Sequence, residues 1–153
     1  NIKGIYAIGD VNARQMLAHA ATFQGFRAVN HIIGKQDNIR LDIMPSAIFT
    51  YPEAASVGKT EDQCKEAGIP YTTRKGFYRS NGKALSMEET EGMIKVLIAE
   101  DGSILGAHCY GAHSADLIQE VAALMNYDAK LDKIRDIIHI HPTLSEILQD
   151  ALL

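Results

Sequence analysis

Gly92-Met93-Ile94-Lys95-Val96-Leu97-Ile98-Ala99, then Glu100-Asp101-Gly102-Ser103, then Ile104-Leu105-Gly106-Ala107-His108-Cys109-Tyr110, reads as two apolar strands joined by a tight turn. Asp-Gly supplies the backbone freedom such a turn demands. The pairing is local and antiparallel, so one face of the resulting sheet must be covered by other elements. C-terminal to the hairpin, Leu117, Ile118, Val121, Leu124 and Met125 recur at helical spacing, with Ser114 placed to cap that helix. Leu131, Ile134 and Ile138 mark another short helical segment. N-terminal to the hairpin, Ser46–Thr50 reads as a strand and Tyr51-Pro52-Glu53 as a turn. Thr60-Glu61-Asp62-Gln63 is a capping box opening a helix that stops at Gly68, with Pro70 beyond it. Tyr71–Tyr78 alternates loosely as a strand, and Arg79–Gly82 is a loop. Strands come first and helices later, which is the α+β pattern on an antiparallel sheet. This domain is assigned to residues 44–153, opening at Met44-Pro45.

The residues before it obey another rule. Ile5-Tyr6-Ala7-Ile8 is a continuous apolar run, as in a strand covered on both faces of a parallel sheet, and residues 1–10 are expected to form one. A helix follows over about Met16–Gly34, with Leu17, Ala20, Ala21, Gln24, Ala28 and Ile32 along one face. Gln36–Asp42 is polar and reads as a linker. Such a strand needs parallel neighbours, and only one precedes the change of pattern. Residues 1–43 are therefore expected to be the end of a doubly wound α/β domain, and the chain part of a longer polypeptide. Ligands of such sheets lie beyond the carboxyl ends of strands. Gly9-Asp10 falls there, where a carboxylate can accept hydrogen bonds from ribose-like hydroxyls, and the free amides of the following helix can face electron-rich oxygens. The plain alternative is a turn or helix cap.

The end of the chain carries the sharpest chemistry. In His139-Ile140-His141-Pro142-Thr143-Leu144-Ser145-Glu146, Pro142 suits a first helical turn, and Leu144, Ile147, Leu148, Ala151 and Leu152 continue the helix. His141 then precedes the helix and Glu146 lies in its first turns. A carboxylate within reach of an imidazole fixes its tautomer and favours the imidazolium formed at its other nitrogen. The same letters also make a capping box, in which Glu146 only returns to the backbone. Spacing alone leaves both readings open.

His-x-His-Pro-Thr-Leu-Ser-Glu resembles the C-terminal signature of the flavin-dependent (pyridine nucleotide) disulfide oxidoreductases, in the form typical of dihydrolipoamide dehydrogenases. The resemblance extends through Pro45-Ser46-Ala47-Ile48-Phe49-Thr50-Tyr51-Pro52-Glu53, Val57-Gly58, Asn81-Gly82-Lys83-Ala84, Glu91-Gly92-Met93-Ile94-Lys95 and Leu105-Gly106-Ala107-His108. It reaches Gly4-Ile5-Tyr6-Ala7-Ile8-Gly9-Asp10 and Met16-Leu17-Ala18-His19 near the start. It implies a dimerisation domain preceded by the end of an FAD domain. It implies His141 as the acid–base residue and Glu146 as its orienting partner, acting in the active site of the partner subunit. It implies Asp10 on the ribityl chain of FAD and Met16, Leu17, Ala18 and His19 at the flavin ring. The expected reaction is oxidation of a protein-bound dihydrolipoyl group, with NAD as acceptor. The expected partners are a second copy of the chain and the lipoyl-bearing acyltransferase or carrier of a 2-oxoacid dehydrogenase or glycine cleavage system. Glutathione- and mercuric-reductase relatives are the alternative. The family's redox-active cysteine pair and its dinucleotide glycine loops do not occur in this sequence, so the fragment alone is expected to be inactive and to hold FAD poorly.

Composition narrows the classes. Of 153 residues, 46% are apolar and 22% charged, and the net charge is −4. This is an ordinary globular composition, and it argues against nucleic acid or an anionic membrane as partner. Cys64 and Cys109 are too few for a disulfide framework and fit a reducing compartment, the cytoplasm. Cys109 reads as strand core and Cys64 as a helix residue. Two further readings compete. One is a non-catalytic dimerisation module using the apolar surface from Leu117 to Leu153. The other is a metal site built from His108, Cys109, His113, His139 and His141, which the opposite strand faces of His108 and Cys109 disfavour. No metal is expected.

Overall fold

The central hairpin forms as β4 (Met93–Ala99) and β5 (Ile104–Gly111) in the computed structural model, which describes residues 2–153. Ile94 stands opposite Cys109 and Val96 opposite Ala107, with a register shift between Leu97 and Ile98. Three more strands extend the sheet: β1 (Ser46–Ile48), β2 (Glu53–Gly58) and β3 (Tyr71–Phe77). The order is β1-β2-β5-β4-β3, and every pairing is antiparallel. This is an α+β domain, as expected. The strand β2 is a correction: Glu53 is expected in a turn with Tyr51 and Pro52, and it opens a strand instead. Ala54-Ala55-Ser56 carries little β preference of its own. It becomes a strand because it pairs with β5, with Ala55 opposite Cys109 and Val57 opposite Ala107.

One face of the sheet carries the core. Ala55, Val57, Ile94, Val96, Ala107 and Cys109 share it and are all buried. Helix α4 (Ser114–Asn126) packs over β2 and β5, and α6 (Glu146–Leu152) packs over β3 and β4. The core face of α4 is as read, with Leu117, Ile118, Val121 and Met125 buried. Ser114 does not act as its cap. It is the first helical residue and donates instead to the Gly111 carbonyl at 2.8 Å and to Cys109 Sγ at 3.3 Å. Gly76 in β3 lets α6 lie against the sheet, because a Cβ there would collide with the Ile147 carbonyl. Both cysteines are free and buried. Burial pushes the Cys109 thiol pKa up, which suits a packing residue and not a nucleophile.

Shorter elements complete this unit. The helix α2 (Glu61–Glu66) opens with both halves of its capping box made, and Gly68 beyond it has φ +64. The helix α3 (Gly82–Ser86) begins at Asn81, where only a loop was expected. The helix α5 covers Leu131–Ile134, while Ile138 is exposed and lies beyond it. Tyr78 is buried in the core, whereas Tyr51 and Tyr127 are exposed in this chain.

The chain divides into two compact units, one ending at Met44 and one running from Pro45 to Leu153. In the first, the expected strand is absent. Residues 5–8 are irregular, and Ile5 and Ile8 are exposed. A strand exists through its ladder, and among the described residues no strand pairs with this one. Residue 1 lies outside the described residues. The helix α1 (Ala18–Ile32) forms as read and ends before Gly34, which has φ +70. Gln24 holds the preceding loop by accepting from Gly9 N and Asn12 Nδ2, both at 2.8 Å. The segment read as a linker is tied to α1 through Asp37, which accepts from Arg27 Nε at 2.8 Å and Asn30 Nδ2 at 3.1 Å. His31 Nδ1 lies 2.6 Å from the Tyr6 hydroxyl. Among the described residues no helix is long and apolar enough to cross a membrane.

Candidate active site

Glu146 opens α6 and uses both of its carboxylate oxygens. Oε1 lies 2.9 Å from His141 Nδ1, and Oε2 accepts from the Thr143 amide at 2.8 Å. The two sequence readings, imidazole partner and backbone return, are both realised by one side chain. The other half of the expected capping box is not made: Thr143 Oγ1 donates to the Ile140 carbonyl at 2.7 Å. Pro142 is also not in the first helical turn. It follows a cis peptide bond after His141 and precedes the helix by a turn.

The imidazole itself is open. The His141 side chain is 79% exposed, whereas that of Glu146 is 21% exposed. With Nδ1 engaged by the carboxylate, Nε2 is the nitrogen that can exchange a proton with a ligand. The Thr143 amide, and then the His141 ring, hold the Glu146 carboxyl below its ordinary value of 4.5. A depressed carboxyl contributes stability that is present above the unfolded value and is lost as pH falls through the folded one. Glu146→Gln is therefore expected to flatten the acid side of the stability curve. In urea unfolding as pH is lowered below about 4.5, the natural chain should lose stability more steeply than the variant; parallel curves would contradict this.

Two supports of this loop were not legible beforehand. Asn81, nearly fully buried, accepts from Ala84 N at 2.9 Å and donates from Nδ2 to the Thr143 carbonyl at 3.0 Å. It caps α3 and fastens the residue whose amide holds Glu146. Asn before Gly-Lys-Ala at a helix start was the available signal for the cap; nothing in the sequence pointed to Thr143. The second support is His139, whose Nε2 lies 2.8 Å from Glu120 Oε1 on α4.

The expected cofactor residues all lie in the first unit. Asp10 is exposed on a short 3-10 turn (Gly9–Asn12), after Gly9 with φ +69. Leu17 is the N-cap of α1 and makes no side-chain cap hydrogen bond, and Ala18 and His19 open the helix. Met16 and Val11 beside them are strongly exposed. An open carboxylate beside exposed apolar side chains fits a flat ring with a hydroxylated tail, so the chemistry of these residues suits FAD. The metal alternative is not supported by the geometry: His139 turns to Glu120, His141 to Glu146 and His108 to the Lys59 carbonyl at 3.1 Å. Among the described residues no three metal-ligating side chains converge.

Comparison with known proteins gives a consistent picture. The profile of the family described as pyridine nucleotide-disulphide oxidoreductase, dimerisation domain, matches residues 44–152. A mitochondrial dihydrolipoyl dehydrogenase 2 of Arabidopsis thaliana is 41% identical over 152 residues, covering 99% of this chain and 30% of the relative. A dihydrolipoyl dehydrogenase of Synechocystis is 41% identical over 152 residues, covering 96% of this chain and 32% of the relative. The crystal structure of LpdA from Mycobacterium tuberculosis superimposes with TM-score 0.89 at 26% identity, over 97% of this chain and 33% of that one. The chain thus spans about 30% of the length of the curated relatives it matches.

Proposed function

We propose a function from one premise: this chain belongs to the pyridine nucleotide-disulphide oxidoreductase family, whose dimerisation domain occupies residues 44–152. The chain is the C-terminal part of an FAD-dependent dihydrolipoyl dehydrogenase that works as a homodimer in the cytoplasm. The complete enzyme oxidises the dihydrolipoyl group of an acyltransferase or carrier protein, with NAD as the final acceptor. Residues 1–43 are the end of its FAD-binding domain and residues 44–153 its dimerisation domain.

The observation that carries this reading is the His141–Glu146 pair, with the ring open and the carboxylate anchored. A thiol attacks a disulfide only as its thiolate. His141 Nε2 accepts the proton of the substrate thiol, and Glu146 stabilises the imidazolium through Nδ1 while the Thr143 amide keeps the carboxylate from swinging away. In the dimer the imidazole serves the active site of the partner subunit. Asp10 would accept hydrogen bonds from the hydroxyls of the ribityl chain, and the backbone at Met16, Leu17, Ala18 and His19 would meet the flavin ring. FAD, when bound, supplies a two-electron acceptor. This stretch of chain is inactive by itself, since Cys64 and Cys109 are both buried and unpaired.

The test is to isolate the native gene product and record its mass, its visible spectrum and its reduction of NAD by dihydrolipoamide. A yellow protein roughly three times this length by ordinary domain sizes, active on dihydrolipoamide, is expected. Activity confined to glutathione disulfide or mercuric ion would move the protein to another branch of the family. A colourless native chain of this length would leave only a dimerisation module.

A further inference from the structure

Two histidine–carboxylate pairs stand on either side of Ile140. In the second, His139 Nε2 lies 2.8 Å from Glu120 Oε1, and its Nδ1 lies 3.2 Å from the Ile137 carbonyl. Both ring nitrogens face acceptors, so either tautomer finds a partner for its N–H. The imidazole is 5% exposed and the glutamate 28%. Its neighbours point the other way: Ile138 and Ile140 are 94% and 78% exposed. Residues 137–140 belong to no helix or strand. His139 is thus the inward anchor of an irregular segment whose flanking side chains face out, and its partner sits on α4, which is packed over β2 and β5.

We infer that Glu120 and His139 are positioning residues for His141, fixing the backbone from which that imidazole projects. This rests on the acid–base reading of His141. The two carboxylates divide the task. Glu146 sets the rotation of the His141 ring from the C-terminal side. Glu120, through His139, ties the N-terminal side of the same loop to the helix layer. Asn81 holds the middle through Thr143. Proton transfer requires the ring at hydrogen-bond reach of the thiol, and displacement of a reacting group by an ångström can cost up to about 100-fold. An imidazole held by Glu146 alone has the right tautomer on a movable base. The sequence spacing shows none of this, because Glu120 lies a whole helix away from the loop.

The test uses the full-length dimeric flavoenzyme with dihydrolipoamide as substrate. His139→Ala and Glu120→Ala are each expected to lower kcat about 10-fold, with KM for dihydrolipoamide little changed. Glu120→Gln keeps an acceptor for the His139 N–H and should recover much of the loss. A dye that takes electrons directly from the flavin involves no thiol proton transfer, so the ratio of dihydrolipoamide turnover to NADH–dye turnover should fall in the alanine variants while flavin content holds. In a His141→Gln background, His139→Ala should add little, since both act through one group. Equal loss of both activities together with flavin, or a turnover ratio unchanged in His139→Ala and Glu120→Ala alike, overturns the positioning role. If His141→Gln is crippled while His139→Ala is unimpaired, only this inference fails. If His141→Gln retains full turnover, the acid–base reading fails and this inference with it.

Discussion

Replacing His141 with glutamine in the full-length enzyme is expected to lower dihydrolipoamide turnover by ~100- to 10,000-fold, the usual contribution of a positioned general base. Glutamine keeps a polar side chain of similar reach and can still hydrogen-bond to Glu146, so the loop has no reason to collapse. What it lacks is a ring nitrogen that can take up and return a proton. The loss should therefore fall on turnover and not on folding, flavin content or dimer formation. It should shrink as pH rises, because a growing share of substrate thiol then ionises without help. The measurement is kcat against pH for the natural enzyme and the variant, beside the unfolding midpoint of each. A loss of less than tenfold at all pH values would remove His141 from the acid–base role. A loss accompanied by an equal loss of flavin would assign it a structural one.

Truncating Leu148 to alanine is expected to destabilise the chain by about 2–5 kcal/mol, the range for a large aliphatic side chain removed from a packed core. Leu148 is fully buried on α6, between Ile147 and the Ala151–Leu152 turn, which are buried with it. The helix is only seven residues long, too short to persist without tertiary packing, and its Ile147 carbonyl already lies against Gly76 of β3, which leaves the helix no room to settle further onto the sheet. A cavity under α6 is therefore expected to remain a cavity. Denaturant unfolding should show a lower midpoint with an unchanged slope. The control is Leu85→Ala, at a position 55% exposed, expected to stay within about 0.5 kcal/mol. Because Glu146 is the first residue of the same helix, Leu148→Ala should also loosen the His141–Glu146 contact, and in the full-length enzyme lower kcat as well as stability. A Leu148→Ala chain as stable as the control would mean that α6 is not held by this core.

Several features were decided locally and so were written in the sequence. The Asp101-Gly102 hairpin needs only its turn and two apolar runs. The cap at Thr60 and Gln63 needs only those side chains and the amides beside them. The stripe on α4 follows from a helical repeat. The His141–Glu146 pair joins residues five apart, so spacing made the contact one of two open readings; resemblance was needed to prefer it and its chemical role over a cap. Other features depend on groups distant in the chain and became visible only in three dimensions. Ala54–Ser56 is a strand because β5 offers it a ladder. Residues 5–8 have strand composition but form no strand, because composition cannot provide a pairing partner. Asn81 reaches Thr143 and Glu120 reaches His139 across separations that no periodicity encodes. The sequence by itself determined the class of fold and put the His141–Glu146 contact within reach. Only the tertiary structure decided what holds them still, since a side chain's hydrogen-bond partner is chosen by packing once the local elements have formed.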